Sequence, residues 1–277
     1  MLRQRVVSAA AFAPIVVLAV VAGPPWITLF VALLAYLAAR EVFTLLRLAG
    51  YANLPLLGST IAVAGVAVAF LMPDDADKAA TVLAAAIVLA AVGGLARSDP
   101  REGFQVWMAT VFGGLYAGLL AFVVRIADAP AALPAGAPLA SLGAGRAWLI
   151  VLIVGVWTYD SGAYLAGRRF GRRRLMAHVS PSKTWEGLLG GLVACTAISA
   201  LTLQLAGQAP LGALVLGPLI AAAAQVGDLI ESMLKRAGGA LDSGLLIPGH
   251  GGVLDRVDSF LLAAPATFFY LLAVTPR

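Results

Sequence analysis

Charged residues and glycines are concentrated between Ser232 and Asp258 of this 277-residue chain, in which 61% of residues are hydrophobic and 12% are charged. The stretch contains aspartates, the Lys235-Arg236 pair and a histidine, His250. An ionisable side chain inside a membrane costs about 2.5–3.5 kcal/mol on insertion scales. We therefore expect these side chains to serve a function.

Residues 225–236 are predicted to form the end of a helix that carries charge on one face. Four of them share that face because they are spaced i, i+3, i+4 and i+7: Asp228, Glu231, Ser232 and Lys235. An acidic and then basic stripe is typical of a site that holds both a cation and a phosphate. The alternative is a surface ion pair between Glu231 and Lys235.

A glycine-rich loop follows this helix and leads into two further aspartates. Glycine lets a ligand approach the backbone closely, and successive free N–H groups bind anions. Asp255 and Asp258 are spaced i, i+3 at the start of the last apolar helix, where carboxylates are suitable ligands for Mg²⁺. A re-entrant turn without a ligand is the alternative for the loop.

Together these segments offer carboxylates for a metal and cations for phosphate groups. The cations are Lys235, Arg236 and Arg256, with His250 beside them. Phosphoryl and nucleotidyl transfer require such groups, because the chemistry consists mostly of positioning and of neutralising charge on oxygen.

A second polar segment contains the arginine-rich sequence GRRFGRRR and then SPSKTWEG. Ser180–Thr184 is interpreted as the cap and entry of a helix, with Pro181 or Ser182 in its first turn. Lys183 and Glu186 would then be spaced i, i+3 at the helix start. The arginines, including Arg168 and Arg169, have an alternative role as topology-setting charges beside anionic lipid headgroups.

The elements that must position these residues are membrane-spanning helices, so the fold class is an all-α polytopic membrane protein. Apolar runs of spanning length recur along the chain, and backbone groups in lipid must be satisfied within their own segment. The single cysteine, Cys195, excludes a disulfide framework. Nine helices are predicted, near residues 6–22, 25–39, 54–72, 79–96, 105–126, 147–166, 185–206, 210–227 and 259–274; eight or ten remain open.

The positive residues predict the orientation of these helices. With the N-terminus in the cytoplasm, 15 of the 19 lysines and arginines fall on the cytoplasmic side, as the positive-inside rule requires. Both polar segments then face the cytoplasm, where nucleotides are found. We expect an N-terminal scaffold at 1–145 and a catalytic part at 146–277, within one integrated membrane domain.

These residues carry a resemblance to a known family. The stretch Ser232–Asp258, with its core His-Gly-Gly-x-x-Asp-Arg-x-Asp at 250–258, resembles the signature of the phosphatidate cytidylyltransferase (CDP-diacylglycerol synthase) family. Residues 160–171 and 180–187 resemble the same family. One position departs from it: Leu241 stands where the signature usually has lysine.

The resemblance implies a reaction of CTP with phosphatidate that gives CDP-diacylglycerol and pyrophosphate. The expected location is a bacterial inner membrane, with the site on the cytoplasmic side that the positive residues predict. The resemblance also implies Mg²⁺, with K⁺ as a companion, at Asp228 and Asp255. Expected partners are CTP, phosphatidate and membrane lipids, without nucleic acid; a homodimer stays open.

The expected roles define three sets of site residues, of which the first two overlap. The first set ligates metal: Asp228, Asp255 and Glu231. The second is catalytic: Asp228, Asp255, Lys235, Arg236, His250 and Asp258. The third binds substrate: Lys183, Arg168, Arg169, Ser182, Glu186, Gly251, Gly252, Arg256 and Asp242.

Three alternatives to this function remain. One is a cytidylyltransferase for another lipid phosphate. Another is a family member whose activity is lost or weakened by Leu241. The third is a membrane transporter, which also uses polar groups in broken helices but usually shows two matching halves.

Overall fold

A computed structural model of the chain describes residues 14–129, 133–246 and 251–274. Residues 14–22 are helical, and residues 6–13 of the first predicted helix lie outside the described residues. Beyond Gly23, the described ranges contain nine α-helices: α1 Pro24–Leu48, α2 Pro55–Leu71, α3 Ala76–Leu95, α4 Pro100–Gly118, α5 Ala121–Ala127, α6 Ala144–Phe170, α7 Trp185–Leu205, α8 Ala213–Ala237 and α9 Leu254–Val274.

Length and apolar composition suit most of these helices to a membrane. With α4 and α5 taken as one segment, seven segments in the described ranges are long and apolar enough to cross it. The α2 helix, with 17 residues, is shorter than these. The all-α polytopic architecture is confirmed, and the count of nine spans stays a prediction.

Helix α1 continues well beyond its predicted end at residue 39. It reaches Leu48, because the buried side chains Val42, Phe43 and Leu45 extend its apolar face past the charged residues that follow Ala39. A charged pair inside a helix was mistaken for the end of the helix.

The predicted cap and entry of a helix at Ser180–Thr184 is right in that Thr184 is the cap and wrong in placing Pro181 or Ser182 in the first turn. This segment is a β-strand, β2, which pairs antiparallel with β1 (Arg174–Met176). A residue that precedes proline is biased towards extended backbone, which favours a strand at Ser180-Pro181. Thr184 is the N-cap of α7, with its Oγ1 accepting from the Gly187 N–H at 3.1 Å. Lys183 therefore precedes the helix and shares no helical face with Glu186.

Contacts divide the described residues into two compact units. The first contains the chain up to Arg125 together with Leu234–Val257, and α1 to α4 pack on one another within it. The second contains Ile126–Met233 and the chain from Asp258 onward. The predicted division at residue 145 stays a prediction, since a group of contacts is not by itself a folding domain.

Helices α6 and α7 pack closely in the second unit because small residues face each other. A Cβ atom on Gly162 would lie 2.7 Å from Ala194 Cβ and 3.4 Å from Gly191 Cα. Small residues spaced in this way let helix backbones approach closely in a membrane. This pairing holds the strands between α6 and α7 at one end of both helices.

Candidate active site

Three carboxylates of the second unit come together between α8 and α9, and we call them the acidic cluster. Asp228, Glu231 and Asp258 each offer one oxygen, and these oxygens all lie within 4.8 Å of one another. Glu231 has no exposed surface, and both aspartates are half-buried. The sequence predicted all three as site residues, but it named Asp255 and not Asp258 as the third metal ligand. Hard oxygen donors of this kind fit a divalent cation.

Gly227 lets α8 and α9 approach closely enough to form the acidic cluster. A Cβ atom at this position would lie 3.3 Å from Ser259 Cα and would overlap the carbonyl oxygen of Asp258. Any larger residue would separate the helices, so the glycine next to Asp228 serves the geometry of the carboxylates.

Lys183, from β2, contributes a cation to the acidic cluster. Its Nζ lies 2.5 Å from Oδ2 of Asp228, and the exposed fractions of the two side chains are 18% and 32%. The Ser232 hydroxyl donates to Oδ1 of the same aspartate at 3.3 Å. Lys183 and Asp228 both belong to the predicted site, and the strand, not a helix, is what brings Lys183 there.

Tyr159 and Gln225 form a buried hydrogen bond that the sequence analysis did not predict. The Tyr159 hydroxyl donates to Oε1 of Gln225 at 2.7 Å. Gln225 lies on α8 one turn before Asp228, so this bond joins α6 to the helix that carries the acidic cluster. The signal in the sequence that could have indicated this bond was the polar residue Gln225, three positions before Asp228.

A second group of polar residues lies in the first unit, and we call it the loop cluster. Lys235 Nζ donates to Oδ1 of Asp255 at 2.7 Å, and the exposed fractions of these side chains are 12% and 8%. Oδ2 of Asp255 accepts from the Ser243 N–H at 2.9 Å, from the Ser243 hydroxyl at 2.7 Å and from the Gly252 N–H at 2.8 Å. Both oxygens of Asp255 thus have protein donors.

Glu41 completes the loop cluster, and the sequence analysis missed it. Its carboxylate accepts from the N–H groups of Val253 and Leu254 and from the Ser243 hydroxyl. The available signal was a carboxylate inside an apolar run whose hydrophobic pattern continues beyond it. Because α1 was predicted to end at residue 39, Glu41 fell between two predicted helices of the scaffold.

The arginine-rich segment is held by Glu186 at the start of α7. The Glu186 carboxylate accepts from the N–H groups of Arg172 and Arg173 at 3.0 and 3.3 Å. The side chains of Arg168, Arg169 and Ser182 are exposed. Glu186 therefore supports the backbone of this segment, and its predicted contact with substrate stays a prediction.

The remaining predicted residues lie near the loop cluster or outside the described residues. Arg236 donates to the carbonyl oxygen of Ala240 at 2.8 Å and so caps the end of α8. Asp242 and Arg256 are exposed, and Gly251 adopts a positive φ of 74°. His250 lies outside the described residues.

Comparison with known proteins identifies the family. The model of the cytidylyltransferase family matches residues 3–274. The chain belongs to the cytidylyltransferase family. The matched residues include the acidic cluster, the loop cluster and Glu41.

Several relatives of this cytidylyltransferase-family chain have names that state an activity. Phosphatidate cytidylyltransferase of Haemophilus influenzae is 41% identical over 46% of this chain and 46% of its own length. The Bacillus subtilis protein of the same name is 41% identical over 46% of this chain and 48% of its own length. Phosphatidate cytidylyltransferase 5, chloroplastic, of Arabidopsis thaliana is 34% identical over 91% of this chain and 67% of its own length. The matched region thus spans about half of the two bacterial relatives.

Proposed function

We propose that the chain is a membrane nucleotidyltransferase that converts CTP and phosphatidate to CDP-diacylglycerol and pyrophosphate. The observation that carries this proposal is the acidic cluster with Lys183 against it, in a chain of the cytidylyltransferase family. Carboxylates that are buried or half-buried, one of them paired with a cation, suit a reaction in which phosphate oxygens must be held and their charge neutralised.

The reaction joins two anions without a covalent enzyme intermediate. A phosphate oxygen of phosphatidate attacks the α-phosphorus of CTP and forms a new P–O bond. The bond from the α-phosphorus to the oxygen that bridges to the β-phosphorus breaks, and pyrophosphate leaves with both electrons of that bond. Since both reactants are negatively charged, the site must supply positive charge to offset their repulsion.

The acidic cluster supplies the ligands that a metal ion would need. Asp228, Glu231 and Asp258 would hold Mg²⁺, which supplies positive charge to phosphate oxygens when it is bound. Lys183 neutralises part of the charge on the cluster. A K⁺ ion as companion remains part of the proposal, on the basis of the family resemblance.

The loop cluster has a different role in the proposal. Lys235 offers its ammonium group to a phosphate, and Asp255 holds that group in place through a 2.7 Å ion pair. Asp255 as a metal ligand, which the resemblance implies, stays a prediction; in the described arrangement the Lys235 ammonium and two backbone N–H groups engage its oxygens.

The proposed setting is the cytoplasmic membrane of a bacterium, with the site on the cytoplasmic side. Such a position gives access both to a lipid headgroup and to a soluble nucleotide. The asymmetry of positive residues supports this orientation.

The test is an assay of the purified full-length chain with CTP labelled in its cytosine ring, phosphatidate and Mg²⁺. Wild type should incorporate the label into lipid, and Asp228→Asn should not, because the variant loses a charged oxygen of the acidic cluster. Asp77→Asn is the matched control, since Asp77 is an exposed aspartate of α3. Label in lipid from another lipid phosphate, with none from phosphatidate, would correct the substrate; no label from any lipid phosphate would contradict the proposal.

A further inference from the structure

Glu41 holds the turn that leads into α9. Its Oε1 accepts from the Val253 N–H at 2.9 Å, and its Oε2 accepts from the Leu254 N–H at 2.8 Å. The first N–H groups of a helix have no partner within the helix, and the helix dipole favours an anion beside them. A carboxylate from α1 thus fixes the start of the helix that carries Asp255.

The Ser243 hydroxyl connects Glu41 to Asp255. Its oxygen lies 2.8 Å from Glu41 Oε2 and 2.7 Å from Asp255 Oδ2. A hydroxyl has one proton, so it donates to only one of the two carboxylates at a time. Because its oxygen contacts both of them, Ser243 links Glu41 to Asp255. Asp255 in turn holds Lys235, so a continuous series of contacts runs from Glu41 to that ammonium group.

Gly252 shows that the backbone approaches the Glu41 carboxylate very closely. A Cβ atom on Gly252 would overlap both Oε2 of Glu41 and the Ser243 hydroxyl. The backbone at Gly252 therefore packs directly against the Glu41 carboxylate, which leaves no space for a side chain at this position.

We infer that Glu41 is a positioning residue for the transfer reaction. It acts through Ser243 and Asp255, and through the fixed start of α9, to keep the Lys235 ammonium in its orientation. This inference rests on the proposed function and extends it to a residue of the N-terminal half, which the sequence analysis treated as scaffold.

The test compares Glu41→Gln with wild type in the full-length chain, with kcat and the KM for CTP measured separately. Glutamine has the same shape but lacks the charge and one acceptor oxygen. We expect kcat to fall about 10–100-fold, the range for removing an outer partner that orients a metal ligand. The KM for CTP should stay near the wild-type value, because the substitution changes the orientation of the Lys235 ammonium more than the surface that binds CTP.

Two controls separate positioning from folding. Thermal unfolding in detergent gives the folded fraction, and kcat is expressed per folded molecule. Glu102→Gln is the matched control, since Glu102 is a half-buried glutamate of α4 that pairs with Arg97 at 3.5 Å, outside the loop cluster, and should leave kcat unchanged. If Glu41 only filled space, Glu41→Gln would also keep the wild-type kcat, and the inference would be overturned.

Ser243→Ala provides a second and independent test. It removes the hydroxyl between the two carboxylates and leaves the contacts of Glu41 with Val253 and Leu254 in place. We expect kcat to fall, and the double variant with Glu41→Gln to lose less than the two single losses combined, as for residues in one network. Additive losses of kcat in the double variant would overturn the inference. If Glu41→Gln does not fold, a wild-type kcat for Ser243→Ala alone overturns it. A wild-type chain that transfers no CMP would instead contradict the proposed function.

Discussion

Gly227→Ala is the sharpest structural test of the acidic cluster. The substitution adds one methyl group, changes no charge and touches none of the three carboxylates. The added carbon would overlap the carbonyl oxygen of Asp258 and lie 3.3 Å from Ser259 Cα. The obstacle is backbone, which cannot rotate away as a flexible side chain could.

The expected effect follows from the size of this overlap. Since non-bonded carbon atoms prefer separations of about 3.5–4.0 Å, α8 and α9 must separate by roughly 1 Å at this point. Overpacking of this kind costs typically about 1–3 kcal/mol of stability. Functional geometries tolerate displacements of about 0.5 Å, so the carboxylates of the acidic cluster would no longer converge as they do in the wild type.

The assay is transfer of CMP to phosphatidate at a series of Mg²⁺ concentrations. Gly227→Ala should need more Mg²⁺ for half-maximal rate, and its rate should fall about 10–100-fold, as for other changes that misplace metal ligands. Gly65→Ala is the matched control, because the nearest atom to its added Cβ is the Gly118 carbonyl oxygen at 4.0 Å. A Gly227→Ala variant with the wild-type rate and Mg²⁺ requirement would refute the reasoning.

Three further predictions concern single residues. Lys183→Ala leaves Asp228 without the ammonium group at 2.5 Å and should lower the rate of CMP transfer by about tenfold or more, measured at saturating CTP; an unchanged rate would remove Lys183 from the site. Tyr159→Phe removes the hydrogen bond to Gln225 and should lower stability by about 0.6–1.7 kcal/mol in thermal unfolding, the range for hydrogen bonds between membrane helices. Leu241→Lys should fold normally, because Leu241 is 76% exposed, and should lower the KM for CTP by adding a cation; a higher or equal KM would contradict this role.

The sequence predicted the parts of the fold that depend on long apolar runs. Helices α2, α3 and α7 begin and end within three residues of their predicted positions, because hydrophobic length and satisfied backbone groups determine a helix in lipid. Helix α8 continues ten residues beyond its predicted span end at 227, and the predicted helix 105–126 divides into α4 and α5. Helix α1 was predicted too short, because Arg40 and Glu41 resemble the end of a span when only local charge is considered. The packing of Val42 and Phe43 against other helices decides otherwise, and such contacts are invisible in a single sequence.

The candidate site was predicted in its residue types more fully than in its contacts. Asp228 and Glu231 were chosen from their spacing on one helix, and Asp258 from its spacing with Asp255. In the structure Asp258 joins Asp228 and Glu231, whereas Asp255 pairs with Lys235. The convergence of the acidic cluster depends on close helix packing at Gly227, which spacing within one helix does not reveal. The ion pair of Lys183 with Asp228 joins residues 45 positions apart through a strand that resembled a helix entry.

The central claim is that the chain transfers the CMP moiety of CTP to a lipid phosphate. Two parallel reactions with the purified chain test it most directly, one with CTP labelled at the α-phosphorus and one with CTP labelled at the γ-phosphorus. The α-label should appear in lipid, and the γ-label should leave in pyrophosphate. Appearance of the γ-label in lipid, or of neither label, would contradict the claim.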